Sequence, residues 1–576
     1  MMEDDFYHPL ANVSTPSSGW TSGAWQAALS LHPNVLLALF LGPVLIVMVT
    51  RYMTGLPPKE LSGQKASTVW GYPYWIPFVG HAFSFFRDPI KLMREAESQS
   101  PHGNIFSLTL GGTTLNIISD PDLIKNVMVK KESDVQFSSI AWAIVEKFFG
   151  IPKASYQKYV SVWDELNGHA TLLMREPHMS NMLKATIRNL ERNLQNMITF
   201  VDTEIDLQPW ERWANASYIS SSETEINLMS LLRDMTGHAS IPATFGGAFM
   251  EKYPDILHDV YDMDNGMYFF LMGLPAWFPW PGVMKAHLAR SRLWQALDDQ
   301  QRNLDALADG KDVDYSWGDL DDISEMITRR HSTFKSNGFE IKERGDLAVL
   351  WALVVNAPLL VYWQVIYILS TPGLVERIRE EVAPYVTVTK GESIGKISEA
   401  PKLAISHEGL TKHCPLLRST YFEALRLRMA PWSMRKVASD VVISGKKTDN
   451  TMSFALHKGE YITMPHDLHM SDPRYFKDPE KFEPERFITR DEDGKVSTDA
   501  RTIRPYGGGP SMCKGRNFAE RECLSLVAGV LAYWDIGPAD KKAGWVVPPL
   551  VRTSGMARPQ HETRVRIKRR TFEWET

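Results

Sequence analysis

The sequence predicts a mainly α fold with a small β-rich subdomain, preceded by one N-terminal transmembrane helix. Three observations carry this. Long segments of helical period fill the middle of the chain, β-branched runs are short and few, and Pro33–Val49 holds no charge. No period of 20 to 50 residues repeats, and no long Gly/Ser or Pro-rich linker divides residues 60 to 576. Residues 1–60 therefore read as tail, anchor and hinge, and residues 61–576 as one large domain. Hydrophobic residues make up 44% and charged residues 23%, which excludes a disordered or collagen-like chain. With 63 basic and 68 acidic residues the net charge is −5, and a nucleic-acid partner is not expected. Three cysteines, Cys414, Cys513 and Cys523, exclude a disulfide scaffold and suit a reducing compartment.

Taken in order, the first element is the apolar run PNVLLALFLGPVLIVMV, which reaches spanning length when counted back to Ala27. Acidic Glu3, Asp4 and Asp5 precede it, while Arg51 and Lys59 follow, so the bias in basic residues puts the bulk of the chain in the cytosol. An acidic start and a late apolar stretch fit a cleaved signal poorly. Asn12-Val13-Ser14 is a glycosylation acceptor that would be lumenal in this orientation. Pro57-Pro58 is expected to end the helix and stiffen the hinge.

Asn104–Leu110 and Thr114–Ser119, separated by Gly111-Gly112, read as a hairpin. Ser180–Val201, Val283–Leu307 and Leu374–Val382 read as amphipathic helices. Between the last two, Leu347–Leu369 is apolar and long enough to span a bilayer, with Asp346 as its cap and Ser370-Thr371-Pro372-Gly373 as its stop. Asn356, Pro358 and Gln364 lie inside it and no charge asymmetry flanks it, so it is predicted to run through a protein core. Its amides are expected to face a buried site, because a buried amide needs a partner.

The chemistry concentrates near residue 513. In RPYGGGPSMCKGRNFAERE, residues 504–522, three glycines and a proline make a tight loop before Cys513, and a helix is expected from about Asn517. Gly507–Gly509 would let the backbone pass close to a flat ligand. Amides at the start of the following helix would stabilise a thiolate, which is a strong axial ligand for haem iron. About ninety residues upstream, Glu423 and Arg426 lie one helical turn apart as an ion pair. Phe482-Glu483-Pro484-Glu485-Arg486-Phe487 adds a further arginine between prolines and aromatics.

These three motifs, E-x-x-R, P-E-R-F and the Gly-rich cysteine loop, resemble in order and spacing the signatures of the cytochrome P-450 superfamily. GYPYWIPFVGHAFSFFRDPIKLM, within residues 71–112, is similar to the proline-rich opening and first helix of membrane-bound members. The resemblance implies that Cys513 is the thiolate ligand of haem b, that Glu423, Arg426 and Arg486 form the triad locking its loop, and that Arg435 in Pro431-x-x-x-Arg435 meets a haem propionate. It also implies haem contacts from Tyr506, Gly509, Ser511 and Gly515. Tyr506 stands where Phe is usual and Ser511 where Arg or His is usual, and no W-x-x-x-R occurs before Ser180 although Trp163 is present. Arg435 or a basic residue such as Lys184 would then serve the propionates. In the long apolar helix Val355 and Asn356 replace the family's acid and alcohol, which implies that Asn356 is the catalytic residue over the haem and decides how oxygen chemistry proceeds. With Trp351, Pro358 and Trp363 nearby, this resembles the branch of the sterol 7α-hydroxylases and prostacyclin synthase.

The resemblance implies a monooxygenase at the endoplasmic reticulum membrane with its catalytic domain cytosolic. It would take NADPH-derived electrons from a flavoprotein reductase, with Lys514 and Arg516 placed to help docking. The substrate would be a lipophilic sterol, terpenoid or other secondary metabolite. The aromatic segment GLPAWFPWPG, Gly273–Gly282, suits a lipid interface over an access channel. Two other readings stay open: a haem-thiolate isomerase or dehydratase needing no reductase, and a membrane-tethered haem protein without turnover.

Overall fold

The computed structural model describes residues 33–61, 66–318, 320–394, 397–429, 431–447, 450–553 and 555–574. The acidic tail and the Asn12 acceptor triplet lie outside them. The described residues pack as two units, one made of those within 1–60 and 69–115 and the other of those within 61–68 and 116–576.

In the first unit, helix α1 spans Pro33–Thr54 and its described side chains are largely exposed. It ends three residues before Pro57, earlier than expected. Thr54 stops it by a local exchange: its hydroxyl donates to Thr50 O (2.8 Å) and accepts the Tyr74 amide (3.2 Å). Helices α2 (Ala82–Arg87) and α3 (Pro89–Gln99) follow, the latter capped by Asp88, which accepts the Lys91 amide. Strand β1 (Ile105–Leu110) runs into β2 (Thr113–Ile118) through Gly111 and Gly112, at φ 57° and 79°, as the Gly-Gly pair predicts.

The second unit holds the main core. Helix α4 (Pro121–Met128) is opened by Asp120, and α5 (Tyr156–Ala170) and α6 (His178–Gln195) follow. The amphipathic pattern of α6 stops short of Val201 because Thr199 turns its amide and hydroxyl to the Glu211 carboxylate (3.0 and 2.9 Å). Helices α7 (Leu228–Phe245), α8 (Ile256–Asn265) and α9 (Pro281–Ala308) come after strand β3 (Glu223–Asn227).

The long apolar stretch is two helices, α10 (Leu347–Val354) and α11 (Asn356–Ser370). Pro358 offers no N–H to the Val354 carbonyl and its ring crowds that carbonyl, which breaks the ladder at Val355. Asp346 does not cap α10 through its side chain: the carboxylate is taken by Arg330 Nε (2.7 Å) and Gln301 Nε2 (2.8 Å). Residues 357–368 of α11 are all buried, so the stretch is core. Of its two amides, Gln364 is enclosed and does not face an open site, whereas Asn356 is half-buried. Gln364 Nε2 donates to Leu417 O (3.1 Å) and Thr420 Oγ1 (3.0 Å).

Helix α12 spans Leu374–Val382, as the period predicts, and α13 spans Pro415–Arg428. Strands β4 (Trp432–Val437), β5 (Val441–Lys447), β6 (Asn450–Leu456) and β7 (Tyr461–Pro465) are antiparallel neighbours, β4 with β7 and β5 with β6. Helix α14 (Arg516–Tyr533) crosses the core against α6 and α11. Strand β8 (Trp534–Pro538) pairs with β9 (Arg564–Arg569), which returns to β3.

Candidate haem-thiolate site

The cysteine loop is built by its backbone. Gly507 and Gly509 sit at φ 71° and 64°, where a side chain would be strained, and the Cys513 amide donates to Tyr506 O (3.0 Å). The room left by Gly508 and Gly509 is filled by protein: a Cβ there would overlap the sulfur and the carbonyl oxygen of Met128, the last residue of α4. Helix α14 begins at Arg516, one residue before the expected start. The amides of Gly515 and Arg516, at the head of α14, favour the anionic form of the Cys513 sulfur. Burial pushes the thiol above its ordinary range, while those amides and the charges of Arg516 and Lys514 pull it back. A metal cation bound at the sulfur would draw it toward the thiolate.

Glu423 and Arg426 pair as their spacing predicts, and Arg486 joins them as the resemblance implies. Glu423 accepts Arg426 Nε and Nη2 (2.8 Å each) and Arg486 Nε (3.0 Å), together with the Glu483 amide (3.1 Å). Arg426 extends the cluster to Met470 O (2.9 Å) and Pro479 O (2.7 Å). Glu423 and Arg426 are buried, and the charges compensate one another inside the protein.

Arg435 lies on β4 opposite Ile462, buried, with Nη2 donating to Ser511 Oγ (2.5 Å). Burial lowers the affinity of its guanidinium for the proton, with Glu132 acting against it. Arg504 Nε is buried without a hydrogen-bond partner among the described residues. Tyr506 turns its hydroxyl to that of Tyr421 on α13, and both rings are enclosed; the Phe usual at this place could not make that contact.

Asn356 opens α11, and its Oδ1 accepts the Met556 amide (2.9 Å). The next residue contacts the cysteine helix, where Cys523 Sγ donates to Ala357 O (3.7 Å). Lys184 lines an open groove with Arg188, Glu191 and residues 405–408, none of them in the cysteine loop. Lys514 Nζ and Arg516 Nη1 are turned back on the loop, to Pro510 O (3.0 Å) and Cys513 O (2.9 Å). Trp277 and Trp280 are exposed ahead of α9.

Sequence reasoning missed Tyr421, although it stands two residues before Glu423 in a segment already singled out. It also missed Met128, Asp264 and Arg558, for which no motif gave a signal.

A thiol in a glycine turn, braced through Tyr506 by an ion-paired helix, suits a thiolate-ligand protein. The cytochrome P450 family model matches residues 71–228 and 360–562, and the chain belongs to the cytochrome P-450 family. It is a haem-thiolate monooxygenase with reductase-supplied electrons. It is 25% identical over 83% of its length to cytochrome P-450 monooxygenase poxD of Penicillium oxalicum, covering 88% of that protein. It is 23% identical to cytochrome P-450 7B1 of Mus musculus, covering 81% of this chain and 84% of the relative. Prostacyclin synthase of Homo sapiens is 22% identical, covering 86% of this chain and 92% of the relative. The branch suggested by Asn356 and Ser511 is therefore among its relatives.

Proposed function

We propose that this chain is a membrane-attached monooxygenase that oxidises a lipophilic sterol, terpenoid or related secondary metabolite, with haem held by Cys513. The observation that carries this reading is the glycine turn around Cys513, whose amide donates to Tyr506 O while the Tyr506 hydroxyl meets Tyr421 on the helix that carries the Glu423–Arg426 pair. The donor set fits the cofactor. The soft sulfur suits iron, and Arg435 with Ser511 supplies a buried cation and a hydroxyl for the cofactor's carboxylates, with the unpartnered Arg504 Nε as a further donor. Haem bound there supplies dioxygen activation and C–H oxidation. Arg435, rather than Lys184, is the basic residue associated with the cysteine loop, through its contact with Ser511.

Helix α1 is the single membrane crossing in this reading. Residues 61–576 form the cytosolic domain at the endoplasmic reticulum, and exposed Trp277 and Trp280 meet the lipid interface. Electrons reach it from an NADPH-dependent flavoprotein reductase. The names of the sterol and fungal relatives support the substrate class.

The test is spectroscopic first. Reduced protein with carbon monoxide is expected to show the red-shifted band of thiolate ligation, lost in Cys513→Ser and kept in Cys414→Ser and Cys523→Ser. Retention of the band in Cys513→Ser would overturn the assignment. Reconstitution with reductase and a panel of sterols and terpenoids should then consume NADPH and dioxygen with product. Product at full rate without an electron donor would replace the monooxygenase reading with an isomerase.

A further inference from the structure

The amide of Asn356 is spent in an unexpected direction. It begins α11 directly after the Pro358-induced break, and its Oδ1 is taken by the amide of Met556, two hundred residues on in sequence. The strip containing Met556 is tied at successive residues. A Cβ on Gly555 would overlap Asn356 Oδ1 and come within 3.4 Å of Nδ2, so the carboxamide and the strip's backbone are in direct contact. Glycine is needed there for space, because any side chain would collide with the Asn356 carboxamide. Thr553 Oγ1 donates to Met556 O (2.7 Å) and accepts the Gly555 amide (3.1 Å), bending the strip toward α11.

Ala557 exchanges with two helices. Its amide donates to Arg428 O at the end of α13 (2.8 Å), and its carbonyl accepts Trp363 Nε1 of α11 (2.7 Å). Arg558 Nη2 reaches Asp264 Oδ2 on α8 (2.6 Å), and the other oxygen of Asp264 accepts Trp351 Nε1 of α10 (2.8 Å). The same short strip is thus bound to both halves of the broken helix, to α11 directly and to α10 through Asp264. A broken helix has lost the hydrogen bonds that would fix one half against the other. The strip supplies them from outside.

We propose that Asn356 is a positioning residue: its carboxamide fastens residues 555–558 across the α10–α11 break, and with Gly555 it fixes the wall over the iron-binding side of the core and so selects which substrates fit. The bracing is a property of the chain alone. Its effect on selectivity rests on the haem reading above, through the Ala357–Cys523 contact that puts this turn against the cysteine helix. The oxygen of Asn356 is committed to the strip, and only its NH2 group remains to meet a substrate or water.

Two measurements on the full-length, haem-loaded protein separate the bracing from the haem chemistry. The first is hydrogen exchange of the Met556 amide. Losing one buried acceptor is worth about a tenfold faster exchange. Asn356→Ala is expected to show that rise, whereas Asn356→Asp, which keeps the acceptor oxygen, should stay near the wild type. Gly555→Ala should also speed exchange, but added to Asn356→Ala it should cost nothing more, because the oxygen it collides with is gone. The second readout is the ratio of affinities for 1-phenylimidazole and 4-phenylimidazole, read from the haem absorbance. It should shift at least about threefold in Asn356→Ala and Gly555→Ala, and not in Asn356→Asp, if one hydrogen bond sets the wall. Unchanged Met556 exchange in Asn356→Ala, or an equal Gly555→Ala effect on both backgrounds, overturns the proposal. A changed exchange with an unchanged affinity ratio overturns its selectivity part. Wild-type protein whose spectrum ignores both phenylimidazoles refutes the haem reading instead and leaves the exchange result to decide the brace.

Discussion

Replacing Glu423 by alanine should be the most damaging single change that leaves the cysteine loop's own residues intact. The carboxylate accepts four hydrogen bonds, three from guanidinium nitrogens and one from the Glu483 amide, and it is fully buried. Alanine leaves Arg426 buried with its charge uncompensated, although its carbonyl contacts to Met470 and Pro479 persist. Removing one partner of such a pair costs about 3–5 kcal/mol. At roughly 2 °C per kcal/mol, the value for large domains, the thermal midpoint should fall by about 6–10 °C. Scanning calorimetry on haem-loaded Glu423→Ala and Glu423→Gln, with haem content per chain measured alongside, reads this directly. A midpoint within about 2 °C of the wild type at full haem content corresponds to at most about 1 kcal/mol. That result would show that the two arginines do not depend on this carboxylate, and the locking argument would fail.

Three further outcomes are expected. Tyr506→Phe and Tyr421→Phe each leave one buried hydroxyl without its partner, so each should cost about 1–3 kcal/mol, and the double variant less than their sum, in a denaturation double-mutant cycle. Burial raises the Glu522 carboxyl to about 7, above its unfolded value, with the Ser240 hydroxyl only partly offsetting this. The folded state then holds the extra proton, so stability present at low pH is lost as pH rises from about 4.5 toward about 7, on the order of 3 kcal/mol in all. Glu522→Gln should flatten that decline in thermal midpoint against pH, and an unaltered slope would show that another group controls it. Deleting residues 1–56 removes α1 and the Thr54–Tyr74 exchange; vesicle flotation should show weakened but not abolished attachment, and loss of haem binding would show that α1 belongs to the fold.

The sequence made the helical frame and the ionic cluster legible for a simple reason: both are local patterns. Glu423 and Arg426 announce themselves by a one-turn spacing, and Leu374–Val382 by its period. The Gly-Gly turn at 111–112 was legible in the same way. The break at Val355 was recoverable from Pro358, yet the run's uniform apolarity hid it, because hydropathy does not register a missing amide. The partners of Asp346 and Asn356 were not legible at all. Asp346 looks like a cap from its neighbours, but its carboxylate answers to Arg330 and Gln301, and Asn356 answers to Met556. Which of several polar groups a buried side chain meets is decided by packing between distant segments, and a single sequence carries no record of it. The glycines before Cys513 illustrate the same limit. Their flexibility was readable, but the occupant of the space they leave, Met128, was not.

The pairing of β9 with β3 sets a timetable for the molecule's birth. Arg564 and Asn227 are partners 337 positions apart. A ribosome adding 5–20 residues each second needs about 20 to 70 s between making one and making the other. Throughout that interval β3 is a strand with an unfilled edge, and the helices beside it wait for a neighbour not yet translated. The cysteine loop is made late in the same interval, after the Glu423 helix, and slowing translation between residues 227 and 564 should lower the yield of folded protein by lengthening the time that edge stays open.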